Sequence, residues 1–449
     1  NLLRFSGIFQ LFTNGHPQNS YPINPERIYF QDNLPSADSR SAGFEIAPSK
    51  EILPPAAPLG IPDKNKQEFE EILPVRLDET AAALTNFSLN LMKEINSQKS
   101  GNIVASPYSI ATLLSLLQQG STGLALEQIT NALQLKQKQS AVVFRENIAD
   151  IQSRRTRNTL RTANNIFLAN GFTINPEYRA LAQRDFKCDV TPTSFLAPAQ
   201  AATDINNWVA MMTNNQIKNL IQPDALSIDT QMVLVNAMYF KGFWEIPFRK
   251  QSTKPGSFKL TDGSTKMVPF MKTRRYFKTS RDQFTNSKII ILPFERDEYS
   301  LMIIMPSTLT TIHDLLPTLT VAQLEKYLNS NPMEVHLEIP KFSIRADTDL
   351  TTVLKSMGIS KIFEQRSDLT KIGTFQTINP QVSSAVHSAV LSIDEEGGSA
   401  AAATAFAVVA LSNDEPPVKF VVNRPFVAVL WDGKAKLPLF IASIEDPTL

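Results

Sequence analysis

Leu84, Phe87, Leu91 and Ile95 recur at the three-and-four spacing that lays one apolar stripe along a helix, and with them the chain passes from an irregular to a regular pattern. Residues 110–119, 141–152 and 204–212 also read as helices. Later the period changes to two. Met333, Val335, Leu337 and Ile339 alternate with Glu334, His336 and Glu338, which predicts a strand with one wet face. Residues 287–306 read as two buried strands around the charged turn Glu295-Arg296-Asp297-Glu298, and residues 425–432 and 438–441 as a second pair around Asp432-Gly433-Lys434. Helices come first and much sheet later, so the predicted class is α+β.

One segment fits neither pattern. From Gly398 to Ser412 there is no charge, no proline and no large polar side chain, whereas Asp394 to Glu396 before it and Asp414 to Pro417 after it have the chemistry of solvated loops. In an extended strand Gly398, Ala400, Ala402, Thr404, Phe406, Val408 and Ala410 share one face, and none of them resists leaving water. The opposite face is equally uncharged. A central strand covered on both sides has this composition and excludes proline, which cannot complete the ladder. The segment is therefore readable as an exposed loop or as an inserted strand, and its alanines suit a linker or a short helix equally well.

Ten of the 29 prolines lie between Pro17 and Pro74, in a stretch rich in Asn, Gln and Ser without sustained periodicity. Residues 1–80 are thus expected to be a Pro-rich flexible extension serving as a spacer, a trimming site or a partner-binding tail, and residues 81–449 a folded domain. The first residue is Asn1 and not Met, which suggests that an upstream piece is removed or omitted; the apolar run 2–12 is broken by Arg4 and too short to span a bilayer. With 43% hydrophobic residues and a formal charge of +1, the chain gives no electrostatic case for nucleic acid or a membrane surface. The lone Cys188 reads as a buried free thiol. His16, His313, His336 and His387 lack ligand spacing, and neither a nucleophile elbow nor a phosphate-binding loop occurs. No metal, no cofactor and no enzymatic activity are expected; a triad assembled only in three dimensions is the open alternative.

Seven motifs in order resemble those of the serpin superfamily of protease inhibitors. They are Asn102-Ile103-Val104-Ala105-Ser106-Pro107-Tyr108-Ser109-Ile110, Ile205-Asn206-Asn207-Trp208-Val209, Leu234 to Trp244, Ile339-Pro340-Lys341-Phe342, Ala385-Val386-His387, Asn423-Arg424-Pro425-Phe426 and Pro438-Leu439-Phe440-Ile441. The stretch Glu395, Glu396, Gly397, Gly398, Ser399, Ala400, Ala401, Ala402, Ala403, Thr404 looks like the hinge of that family's reactive loop, about 395–417. The resemblance covers residues 84–449. It implies a serpin fold, a mixed multi-sheet core with helices and an exposed reactive-centre loop, in a secreted glycoprotein that is monomeric before reaction. The implied activity is suicide-substrate inhibition: an extracellular serine protease cuts the loop, and the loop, inserting into the main sheet, traps the enzyme as a covalent acyl complex. Such inhibitors regulate immune and other proteolytic cascades. The alternative is a non-inhibitory serpin acting as carrier or chaperone.

The ungapped family register implies a reactive bond at Leu411-Ser412, with cuts after Phe406 or Ala410 as neighbours. Leu411 suits a hydrophobic primary pocket of chymotrypsin or elastase type, and between Arg366 and Lys419 the only Lys or Arg is Lys371. The resemblance also implies a sheet-opening cluster of Ser106, Ser109, Asn236 and His387, with satisfied core polarity as the alternative, an even one for Ser109 and a weaker one for His387, and places Trp244 where the loop would enter the sheet or simply as packing. Arg154, Arg155, Arg157 and Arg161 form a candidate sulfated-polysaccharide site or a solvated charge run. Asn86 in Asn86-Phe87-Ser88 is a candidate glycosylation site. Two departures from the family pattern stand out. Gly398 occupies a place usually held by Thr or Ser, and Asn215-Gln216 replaces a Gly-Lys pair after the Trp208 helix.

Overall fold

The computed structural model describes residues 76–374, 379–396 and 416–449. The extension to residue 75 and the segment 397–415, with the hinge residues Gly397 to Thr404 and the bond Leu411-Ser412, lie outside the described residues.

The first stripe forms the helix Glu79–Gln98, with Leu84, Phe87, Leu91 and Ile95 all buried. Asp78 starts it by accepting a hydrogen bond from Ala81 N–H at 2.8 Å, one of the donors a helix leaves unpaired at its first turn. The other three expected helices start three to six residues earlier than their apolar periods, as Pro107–Gly120, Gln137–Ser153 and Pro198–Met212. Pro107 sits in the first turn of its helix, where a missing N–H costs nothing. After Pro198–Met212 the chain turns through Asn214 and Asn215 at φ 52° and 60°. Asn visits this left-handed region more readily than other side chains, so the departure from Gly-Lys keeps a turn there.

Two sheets make up most of the core. The larger has nine strands, ordered Ile103–Ala105, Leu437–Ile444, Phe426–Asp432, Tyr299–Pro306, Ser287–Pro293, Thr265–Asp282, Pro332–Pro340 and Val418–Val421, with Lys254–Lys259 also paired to Thr265–Asp282. Both expected strand pairs are present in it. Pro332–Pro340 alternates as predicted from Val335 onward, but Met333 is exposed near the start of the strand.

The smaller sheet positions the site. Its order is Phe342–Asp349, Ser384–Ile393, Met232–Lys241, Thr159–Ala169, Asp189–Thr193. The strand Met232–Lys241 is buried along nearly its whole length, since both faces are covered. Val233, Val235, Ala237 and Tyr239 share a cluster with Ile205 and Val209 of the helix Pro198–Met212, while Met232, Leu234, Met238 and Phe240 belong to the main core with the helix Pro107–Gly120. Period two puts Asn236 on the second of these faces, inside an apolar layer. A polar side chain there must find all its partners within the protein.

Candidate functional site

Within the five-stranded sheet, Ser384–Ile393 and Met232–Lys241 pair parallel, from Ser384 opposite Val233 to Ser392 opposite Lys241. Their outer neighbours, Phe342–Asp349 and Thr159–Ala169, pair with them antiparallel. A further strand that left the end of Ser384–Ile393, turned back and ran between the two would be antiparallel to both. The parallel seam is thus the one junction among these three that can accept such a strand with antiparallel ladders on either side.

All four predicted cluster members meet at this seam, and one residue not foreseen, Asn164, joins them. His387 lies opposite Asn236, and Asn236 opposite Asn164, in one row across three strands. Under the row sits the start of the helix Pro107–Gly120, whose cap Ser106 accepts from Ser109 N–H at 3.2 Å. The Ser106 N–H donates to His387 Nε2 at 3.0 Å. A backbone amide only donates, so Nε2 is the bare nitrogen and Nδ1 carries the proton that goes to Asn236 Oδ1. Asn236 Nδ2 then donates to Ser109 Oγ and to Asn164 Oδ1, both at 2.7 Å, and Ser109 Oγ donates to Asn164 Oδ1 at 3.0 Å. The Ser106 hydroxyl contacts the Leu439 carbonyl at 2.8 Å.

The Ser106 N–H aimed at Nε2 fixes the imidazole as neutral. Burial pushes the His387 pKa down to about 3, against a small upward pull from Asp347. A proton on Nε2 would face the Ser106 N–H, donor against donor. The His387–Asn236 bond crosses the seam from strand to strand, so parting the strands must break it.

The top of the seam is held differently. Asp394, Glu395 and Glu396 follow directly on Ser384–Ile393, and their backbone is tied to the chain that leaves Met232–Lys241: Trp244 N–H donates to Glu396 O at 3.2 Å, and Phe248 N–H to Glu395 O at 3.1 Å. The Trp244 indole N–H donates to Asp394 O at 2.6 Å. Its ring stacks on Phe294, centroids 4.4 Å apart, and meets Phe248 edge-on. Gly242 makes room for this: a Cβ there would lie 2.1 Å from the Phe294 ring. Trp244 is therefore both packing and anchor.

The acidic side chains take three partners. Glu395, buried, receives Lys341 Nζ at 2.8 Å and the Thr253 hydroxyl at 2.9 Å. Lys241 Nζ reaches Glu396 Oε2 at 2.7 Å and Asp394 Oδ2 at 3.3 Å. Burial works to raise the Glu395 pKa, but the hydrogen bonds from Lys341 and Thr253 hold it below the usual carboxylate value. The bond from Lys241 lowers Glu396 and raises Lys241 in turn.

Lys241 and Lys341 lie within the sequence motifs without a role assigned to them there, and Thr253 and Asn164 lie outside those motifs. Lys241 is the one charge closing the uncharged run Met232 to Phe240, and Asn164-Asn165 interrupts the apolar run of its strand.

The arginine run does not gather into one patch, which corrects the expectation for Arg154. Its side chain is 3% exposed and grips Asp432 at 2.8 Å and Asp150 at 2.7 Å, with Tyr299 under the guanidinium at 5.0 Å. A buried fork already clamped by two carboxylates is closed to a polyanion arriving from solvent. Arg155, Arg157 and Arg161 are exposed, and Arg157 pairs with Glu295 at 3.1 Å. Asn86 is half-buried on the first helix, and the hydroxyl of Ser88 is turned inward onto Leu84 O at 2.7 Å. Cys188 is buried, and burial pushes its thiol pKa well up. Among the described residues no His, Cys, Asp and Glu group suits a metal ion.

Residues 82–447 match the family model described as Serpin (serine protease inhibitor). The structure superposes on that of Manduca sexta serpin-12 with a TM-score of 0.76 and 46% identity, covering 81% of this chain and 98% of that one. It resembles native protease nexin-1, solved with heparin, with a TM-score of 0.75 and 27% identity over 82% of this chain and 99% of that one. Antichymotrypsin-2 of Bombyx mori is 33% identical over 77% of this chain and 92% of its own length.

Proposed function

The chain belongs to the serpin family, and we propose that it is a suicide-substrate inhibitor of a chymotrypsin-like or elastase-like serine protease, secreted and monomeric before it reacts. The protease serine attacks the carbonyl of Leu411, the Leu411-Ser412 bond breaks, and Ser412 becomes a free amino terminus. The Leu411 carbonyl stays on the protease as an ester. The segment 398–411 then runs from its root at Glu396 down the parallel seam, carrying the enzyme with it.

The observation that carries this reading is the parallel seam directly below the acidic root, in register for a strand antiparallel to both sides. The uncharged, proline-free composition of the segment supplies a strand that buries on both faces without an unpaired charge. Leu411 favours a hydrophobic primary pocket, in agreement with the name of the Bombyx mori relative. For sulfated polysaccharide, the candidate residues narrow to Arg155, Arg157 and Arg161. Gly398 is the specific observation for the second reading, a non-inhibitory carrier or chaperone: glycine weakens the first inserted position and slows entry into the sheet, which gives the protease time to hydrolyse the ester.

Incubation with chymotrypsin, elastase and trypsin decides between them. Inhibition predicts an adduct that survives boiling with chymotrypsin or elastase, together with a released fragment beginning at Ser412. Cleavage without adduct contradicts it.

A further inference from the structure

The turn after the strand Lys254–Lys259, the loop after Tyr299–Pro306 and the pair Arg424-Pro425 line a half-open cavity of about 280 Å³. Arg424 lines it, half-buried, and its Nε donates to the Pro306 carbonyl at 2.9 Å. Among the described residues its two terminal nitrogens have no hydrogen bond and no carboxylate partner. Lys259 lines the same cavity and, among the described residues, has no ion pair. Hydroxyls come from Ser307, Thr308 and Thr310. The one carboxylate in the lining, Asp262, accepts from Ser264 N–H at 2.8 Å in its own turn and pairs with neither cation.

A guanidinium half withdrawn from water without a counter-ion loses part of its hydration and gains no ion pair in return. Burial pulls the Arg424 pKa below its usual value, and no neighbouring carboxylate lifts it back. The planar fork of Arg matches phosphate and sulfate oxygens two at a time, and Lys259 adds a second positive charge. The cavity volume exceeds a bare oxyanion and approaches that of small-molecule sites.

We propose that this cavity binds a small molecule bearing a phosphate or sulfate group, with Arg424 as the forked donor, Lys259 as the second cation and the hydroxyls completing the oxyanion shell. The site has a mechanical consequence. Arg424 lies just beyond Val418–Val421, the strand that receives the chain from the segment 397–415, and Lys259 N–H already donates to Asn423 O at 2.8 Å. An occupant would tie the far root of that segment more firmly to the sheet.

The test is calorimetric titration and thermal melting of the full chain with inorganic phosphate and with a sulfated disaccharide, against sodium chloride at equal ionic strength. Saturable binding and a raised melting midpoint are expected for at least one probe; phosphate alone points to a phosphorylated ligand, the disaccharide alone to a sulfated sugar. Arg424→Gln should weaken binding by about tenfold or more and Lys259→Gln by roughly threefold. Lys259 is exposed, so its variant folds and keeps the question answerable if Arg424→Gln does not. Equal shifts with chloride, or no loss of affinity in Lys259→Gln and Arg424→Gln, overturn the proposal.

Discussion

The middle of the parallel seam and its top hold the same two strands together by opposite chemistry. In the middle, His387, Asn236, Asn164 and Ser109 form a chain of neutral hydrogen bonds, with His387 and Asn236 fully buried. At the top, Glu395, Glu396 and Asp394 meet Lys341 and Lys241, cations that remain partly exposed. Neutral buried bonds are indifferent to salt but intolerant of an extra proton, whereas half-exposed ion pairs are screened by salt and survive until the carboxylates titrate. The difference assigns each part of the seam its own failure: the middle yields when His387 charges, and the top when the carboxylates lose theirs.

The largest expected effect separates the two by pH. The folded His387 pKa lies near 3 against an ordinary 6.5, a downward shift, so its stabilising contribution is complete above pH 6.5 and is lost as pH falls towards 3. One proton gives about 1.4 kcal/mol per pH unit, hence about 3 kcal/mol lost by pH 4.5. Glu395 and Glu396 are also shifted down, from 4.5, so their contribution is intact above pH 4.5 and disappears only below it. Between pH 6.5 and 4.5 the urea unfolding midpoint should therefore fall more steeply in the wild type than in His387→Gln, and parallel slopes would break the comparison.

Asn236→Ala comes next. It removes the acceptor of His387 Nδ1–H and the donor to Ser109 and Asn164 at once, leaving buried groups unpaired. A loss of about 2–4 kcal/mol in that midpoint is expected, unchanged between low and high salt. Glu395→Gln should cost less, about 1–2 kcal/mol, because Lys341 is 44% exposed and recovers part of its hydration. Glu396→Gln should cost under ~1 kcal/mol, and the cost should shrink further in high salt. A salt-sensitive middle or a salt-insensitive top would reverse the assignment.

Much of this architecture was legible before the structure, because regular apolar periods and ordered motifs report elements. Leu84 to Ile95 announced the first helix, and both strand pairs of the large sheet were marked by charged turns. The long strand Thr265–Asp282 was not, since its exposed positions carry basic and polar side chains that hide the alternation. In the site, motif position indicated His387, Asn236, Ser106 and Ser109 but could not show that a row of register partners links them across the seam, nor that Asn164 completes it. Pairing depends on strand order, which no local pattern encodes. For the same reason Arg154 read as part of a surface run: only folding brings Asp432, far along the chain, against it.

The most direct test of the account is hydrogen exchange of the segment 398–411, followed by mass spectrometry before and after cleavage at Leu411-Ser412. If the cleaved segment becomes the strand between Ser384–Ile393 and Met232–Lys241, its amides should exchange far more slowly after the cut, and the protein should melt at a higher temperature. If they exchange as fast after cleavage as before, and the melting temperature does not rise, the seam is not where the loop goes and the inhibitory mechanism fails with it.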